Sequence, residues 1–208
     1  MRVLVIGAAG RTGRQIVERA LGHGHDVTAF VHSTPLELAN EKLMSVTGDV
    51  RDFEAISAAI LGKQAVAFAV SQGSESGSDI HQVGIANVIH AMAEHMVSRL
   101  AAVSAAGTFA RADKNLSFAY RTLVATALRA VYDDLEAMEL RIMASDLDWT
   151  IVRPVGLTDD PASGQYRVSL DGSLLPKSAR IARADVASLV VKALETDTYW
   201  RRSVVIAE

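Results

Sequence analysis

Val3-Leu4-Val5-Ile6-Gly7-Ala8-Ala9-Gly10-Arg11-Thr12-Gly13 is an apolar run that passes at once into a G-x-x-G-x-x-G loop. A short apolar run bounded by glycine reads as a strand buried on both faces. Ile16, Val17, Ala20 and Leu21 then share one side of a helix opened by Thr12 or Gly13. The loop therefore joins strand to helix. Gly7 permits a turn that a side chain would obstruct, Gly10 lets backbone approach a pyrophosphate, and Gly13 lets the helix pack close to the strand. The helix start supplies free N–H groups and a positive partial charge for phosphates. Gly7, Ala9, Gly10, Arg11, Thr12 and Gly13 are thus the first candidates for holding a dinucleotide.

Working outward, apolar runs at 27–31, 43–47, 65–70, 100–103 and 149–152 alternate with helical patterns near 12–22, 53–61, 79–95, 120–145 and 183–195. Such alternation predicts repeated βα units. The expected class is α/β: a Rossmann-like, doubly wound, mostly parallel sheet with helices on both faces and a small C-terminal substrate region. Val204, Val205 and Ile206 are expected to close the sheet edge. The 208 residues suit a single NAD(P)-binding domain over 1–208, with 105–131 and 155–182 as substrate-side loops. The ligand crevice of such a sheet lies at the carboxyl ends of its strands, where the strand order reverses.

Composition removes several function classes. A net charge of −3 provides no basic field for nucleic acid or an anionic membrane. The absence of cysteine excludes disulfides, thiolate catalysis and cysteine-ligated metal. No metal site is expected from histidine either: His90 and His95 are five apart and do not share a helix face, no H-E-x-x-H occurs, and His23 and His25 flank Gly24 in a predicted turn. The glycine loop lacks the Gly-Lys-Ser/Thr of a nucleoside triphosphatase, and there is no G-x-S-x-G elbow. Met92, Met96, Met138 and Met143 are expected in the core. The N-terminal apolar run is too short for a signal peptide or membrane span, so the expected location is cytoplasmic.

The cofactor is read from the end of the second strand. An acid there would bind the adenosine ribose of NAD, but the residues present are Val31-His32-Ser33. Asp26 stands at the opposite end of that strand. Arg11 is the candidate for a 2′-phosphate, with His32 and Ser33 adding donors, which favours NADPH over NADH. The plainer readings are a solvated helix-start residue for Arg11 and a polar strand end for His32. After the third strand, Asp49 is placed to hydrogen-bond the adenine amino group while Val50 packs on the ring; local loop geometry accounts for Asp49 equally well. Asp52 reads as the N-cap of the next helix.

The glycine loop, Gly48-Asp49-Val50, Trp149-Thr150-Ile151-Val152-Arg153-Pro154 and Arg183-Ala184-Asp185-Val186-Ala187 together resemble the atypical short-chain dehydrogenase/reductase family that includes NmrA-like proteins. Within it, the stretch from Asp159 to Gly172 is similar to the biliverdin reductase B, or flavin reductase, branch. The resemblance covers nearly the whole chain. It implies NADPH binding and reduction of flavins or linear tetrapyrroles. Position by position, it implies a cofactor shell of the glycine loop, His32, Ser33, Asp49, Val50, Val70, Ser71, Ser104, Pro154, Val155, Gly156 and Leu157. Departures from the family pattern are His32 in place of an arginine, Ser71 in place of a glycine, and Ala105-Ala106 after Ser104 where a second hydroxyl is common.

The main short-chain dehydrogenase mechanism needs a tyrosine acid with a lysine four residues later. Tyr120, Tyr132, Tyr166 and Tyr199 are followed at that spacing by Val124, Glu136, Leu170 and Ser203. Alcohol–ketone exchange is therefore disfavoured, because the alkoxide formed from a ketone must be protonated. A flavin or conjugated tetrapyrrole spreads the added charge and takes its proton from water, so positioning is most of what the protein must supply. The expected partner is such a small-molecule acceptor. The rival readings are an NmrA-like NADP-binding redox sensor acting through a protein partner, and an epimerase-like enzyme. Ser104 is the catalytic candidate for orienting nicotinamide or substrate, against simple satisfaction of backbone. Arg111, Lys114, Arg121 and Arg129 are candidates for flavin phosphate or tetrapyrrole carboxylates, against solvated surface cations. Asp133, Asp134, Glu136 and Glu139 are expected to form a solvated acidic helix face.

Overall fold

In the computed structural model, which describes residues 1–71, 79–108, 126, 128–173, 175 and 180–208, the elements follow the predicted alternation. They run β1 (Arg2–Ile6), α1 (Arg11–Gly22), β2 (Asp26–Val31), β3 (Leu43–Thr47), α2 (Phe53–Ile60), β4 (Ala65–Phe68), α3 (Ile80–Glu94), β5 (Arg99–Val103), α4 (Arg129–Met143), β6 (Asp148–Pro154), β7 (Gly156–Thr158), β8 (Arg167–Ser169), β9 (Arg180–Ala182), α5 (Arg183–Glu195) and β10 (Arg202–Ala207). The main sheet has eight strands in the order β3-β2-β1-β4-β5-β6-β10-β8. All neighbours are parallel except β10 with β8. Strands β7 and β9 form a separate parallel pair. The α/β doubly wound fold is therefore as expected.

Alternation along the strands builds the two layers. Val3 and Val5 face one way, where they pack in a core with Ile16, Val17 and Val190 from α1 and α5. Leu4 and Ile6 face the other, among Ile56, Ile85 and Met138 from α2, α3 and α4. All ten of these side chains are at most 1% exposed. At roughly 1.5–3 kcal/mol for each such side chain buried, this sandwich is the main source of stability.

Three sequence expectations are corrected. Strand β10 lies inside the sheet, and β8 closes that edge as an antiparallel strand three residues long, too short for any periodicity to reveal. Helix α4 begins at Arg129, with Leu128 as its N-cap. Met92 and Met138 are buried, but Met96 is 93% exposed, left outside by a positive φ of 54° after the end of α3, and Met143 is also exposed on the outer face of α4. Among the described residues, no helix is long and apolar enough to cross a membrane.

The turn after β1 fixes the position of α1. Gly7 has φ +82°, a left-handed conformation, and a Cβ there would lie 2.5 Å from the Ala69 carbonyl oxygen. A Cβ at Gly13 would lie 2.1 Å from the Gly7 carbonyl oxygen. Gly13→Ala should therefore lower stability by roughly 1–3 kcal/mol, the range for overpacking a tight contact, and thermal denaturation checks this.

Candidate functional site

Strand order reverses between β1 and β4, and the helices that follow them, α1 and α3, pack on opposite faces of the sheet. A long cleft opens there, at the carboxyl ends of the strands. Its two halves share Gly10, Val70 and Ser71. The first half, about 410 Å³, also takes in Gly7, Ala9, His32, Asp49 and Val50. The second, about 560 Å³, takes in Arg11, Thr12, Ser104 and Leu157. Twelve residues of the predicted cofactor shell therefore line one continuous groove. Gly13 lies buried beneath the loop, and Pro154 ends β6, where its carbonyl accepts from the Ala106 N–H. Ser33, Val155 and Gly156 stand beside the groove and do not line it. Arg111, Lys114 and Arg121 lie outside the described residues.

The helix starts around this cleft differ in one decisive respect. Asp52 caps α2 by accepting from the N–H groups of Glu54 and Ala55 at 3.0 and 3.3 Å, as the sequence predicted. Helix α3 is capped from another helix: Asp134 accepts from the N–H groups of His81 and Gln82, each at 2.9 Å. Helix α1 starts at Gly10, has no side-chain cap and has no acidic residue in its first turn. Its first-turn donors open onto the groove where the two halves meet. An uncapped helix start without a carboxylate fits the diphosphate of a dinucleotide. Ile6, Phe30 and Val50 provide an apolar slot in the first half.

Electrostatics separates the two ends. The Arg11 guanidinium donates to Asp159 at 3.1 Å, and the other Asp159 oxygen accepts from Arg183 at 2.7 Å. This exposed pairing sets Arg11 along the second half of the cleft and leaves it out of the first. His32 lines the first half, with its Nε2 3.9 Å from an Asp49 oxygen. Asp49 accepts from the Arg51 N–H at 2.9 Å, so the local-loop reading of Asp49 holds in part. Arg51 in turn pairs with Asp79 at 3.0 Å.

The acidic face expected on α4 is corrected. Asp134 and Glu139 are buried, and they organise the second half of the cleft. Besides capping α3, Asp134 accepts from His81 Nδ1 at 2.7 Å; His81 Nε2 faces the Val70 carbonyl at 3.2 Å. Glu139 holds Arg153 through both carboxylate oxygens and accepts from the Ser104 hydroxyl at 2.5 Å. With the Ser104 proton committed to Glu139, Thr108 is the donor in the 3.1 Å contact between the two hydroxyls. Ser104 thus presents an oxygen of fixed orientation, and its proton is not free for transfer. A sequence signal for this arrangement was present: Leu135, Met138, Glu139 and Ile142 form one helical stripe, so an acid on an otherwise apolar face must find a buried partner.

The loop over the second half is pinned by α5. Arg183 reaches Asp159, while fully buried Asp185 accepts from the backbone N–H groups of Ser163 and Gly164, both at 2.9 Å, and from the Ser163 hydroxyl at 3.0 Å. The Arg183-Ala184-Asp185 segment therefore couples the helix to the predicted 155–182 substrate loop.

Comparison with known proteins agrees with this geometry. A family model described as NAD(P)H-binding matches residues 7–197. An uncharacterised chloroplastic protein of Arabidopsis thaliana is 30% identical over 206 residues, covering 93% of this chain and 71% of the relative. An uncharacterised sugar epimerase of Bacillus subtilis is 28% identical over 219 residues, covering 100% and 94%. Among solved structures, an oxidoreductase of Lactococcus lactis superposes with a TM-score of 0.85 at 19% identity, covering 100% and 91% of the two chains. A wide-type short-chain dehydrogenase/reductase of Veillonella parvula in complex with NADP gives 0.78 at 17%, covering 100% and 94%. A candidate NADH-flavin reductase of Streptococcus pneumoniae gives 0.81 at 22%, covering 100% and 99%. At these identities the structural likenesses show the fold.

Removing Glu139 takes away a buried carboxylate that Arg153 pairs with. Glu139→Ala is expected to cost roughly 3–5 kcal/mol in chemical denaturation. Glu136→Ala, on the more open side of the same helix, should cost less than about 1 kcal/mol.

Proposed function

The chain belongs to the NAD(P)H-binding family, and on that premise we propose that it is an NAD(P)H-dependent reductase of the atypical short-chain dehydrogenase/reductase group, acting on a flavin or similarly conjugated small-molecule acceptor. The observation that carries this reading is the lining of the second half of the cleft. Val70, Val103, Val131, Leu135 and Leu157 form apolar walls, and among the described residues lining it there is neither tyrosine nor lysine. The titratable side chains there are already engaged: Arg11 and Arg183 with Asp159, and His81 with Asp134 and the Val70 carbonyl.

When bound, the reduced nicotinamide supplies the hydride. The chain's own contribution is binding and orientation. First-turn N–H groups of α1 hold the diphosphate, and Val50 and Phe30 pack the adenine. Ser104, held by Glu139 and Thr108, offers a fixed oxygen toward the nicotinamide end. The valine and leucine walls exclude water and support a flat acceptor against the cofactor, which matters most where no bond to oxygen must be protonated in the same step. The likeness to a candidate NADH-flavin reductase supports the acceptor class. The neighbour bound to NADP supports the cofactor class.

NADPH is the favoured form, with His32 and Ser33 as the donors for its 2′-phosphate. His32→Ala should weaken NADPH roughly tenfold or more relative to NADH, the size of a lost charge-assisted hydrogen bond, while Arg11→Ala should weaken both forms alike. Fluorescence titration of both nucleotides against both variants checks this.

The function itself is tested by following nicotinamide absorbance with FMN, riboflavin and biliverdin as acceptors. Protein-dependent oxidation is expected with at least one of them. Ser104→Ala should then lose far less than the roughly hundredfold that removal of a general acid costs. Tight nucleotide binding without turnover of any acceptor would instead identify an NADP-binding sensor.

A further inference from the structure

At the ends of α1 and α5 opposite the cleft, His23, His25 and Glu195 converge. Gly24 takes φ +80°, with its N–H on the Leu21 carbonyl at 2.9 Å and the His25 N–H on the Ala20 carbonyl at 3.1 Å. These are the paired bonds of a Schellman motif, which closes α1 and fixes the backbone on both sides of the glycine. The two imidazole rings are thereby held with centroids 6.2 Å apart. Glu195 is the last residue of α5, and its Oε1 lies 2.9 Å from His23 Nδ1 and 2.9 Å from His25 Nε2. The three ligand atoms all lie within 4.8 Å of one another.

The surroundings favour a cation. The α1 and α5 helices both direct the negative ends of their dipoles to this point. The site is half-open: the side chain of His25 is 10% exposed, against 32% for His23 and 28% for Glu195, which leaves a side for water. The free nitrogen of His25, Nδ1, lies 3.2 Å from the Met1 amino group, an outer partner that fixes the ring with Nε2 inward.

The geometry points to a divalent zinc site in which His23 Nδ1, His25 Nε2 and Glu195 Oε1 bind the ion and water completes the tetrahedron, clasping α1 to α5. Two imidazole nitrogens and one carboxylate are a zinc-type donor set, whereas calcium and magnesium take oxygen. Ligands about 2.0–2.1 Å from zinc lie about 3.3 Å apart, so the 2.9 Å contacts of the metal-free triad open by only a few tenths of an ångström to admit the ion. Binding requires a lone pair on each of these nitrogens. Each ring coordinates as a neutral imidazole with its proton on the opposite nitrogen, Nε2 of His23 and Nδ1 of His25, and the Met1 amino group facing His25 Nδ1 gives one proton to solvent so that it can accept from that N–H.

The test is calorimetric titration of chelator-treated full-length chain with zinc ion, together with thermal denaturation. One zinc per chain is expected, with Tm raised by roughly 5–10 °C at about a hundredfold excess over Kd. Magnesium and calcium should leave Tm unchanged. Glu195→Gln keeps an acceptor for both histidines and should fold, yet should bind zinc at least about a hundredfold more weakly; His23→Gln, at the most exposed ligand, should do the same. Absence of saturable zinc binding, undiminished affinity in these two variants, or equal stabilisation by magnesium would each overturn the assignment. The metal-free Tm of each variant separates lost ligation from lost folding.

Discussion

The contact between Gly13 and the Gly7 carbonyl sets the position of everything around the cleft. Because no Cβ intervenes, α1 seats its first turn directly on the end of β1, and its N–H groups point into the groove where its two halves meet. A side chain at Gly13 would push the helix away from the strand, and one at Gly7 would meet the Ala69 carbonyl just past β4. Gly10, at the N-cap, has no side chain to accept from the first-turn donors of α1, so they stay open to the groove. The neighbouring helices α2 and α3 have no such duty and are closed by Asp52 and Asp134.

Around that fixed helix, three buried carboxylates hold the second half of the cleft together. Asp134 joins α4 to the start of α3 and orients His81; Glu139 joins α4 to β6 through Arg153 and orients Ser104; Asp185 joins α5 to the loop at 163–164. Each accepts several hydrogen bonds, which is what makes a buried charge tolerable. Charged groups that look catalytic in a list of residues are thus committed to holding walls and loops. Along that half they leave an apolar wall of Val70, Val103, Val131, Leu135 and Leu157.

The opposite end of the α1–α5 layer carries a different kind of joint. The same two helices that open their positive ends toward the cleft bring their carbonyl ends together beside His23, His25 and Glu195. One layer therefore presents an anion-binding end and a cation-favouring end, a consequence of packing two helices in the same direction against a parallel sheet.

The strand–loop–helix start, the alternation of elements and the first half of the cleft were legible in the chain because each depends on neighbours within a few residues: glycines at Gly7, Gly10 and Gly13, period-two and period-3.6 apolar patterns, a local cap at Asp52. The stripe through Leu135, Met138, Glu139 and Ile142 was legible too, but its meaning was not, since the partner that makes Glu139 tolerable lies on another element. The sequence by itself determined the α/β architecture and the glycine-loop cleft at the start of α1. Only the tertiary structure decided that Arg11 pairs with Asp159, that Asp134 serves a helix 53 residues away, and that Glu195 meets two histidines 170 and 172 positions earlier. The physical reason is that electrostatic partners are chosen by distance in space, which local periodicity does not encode.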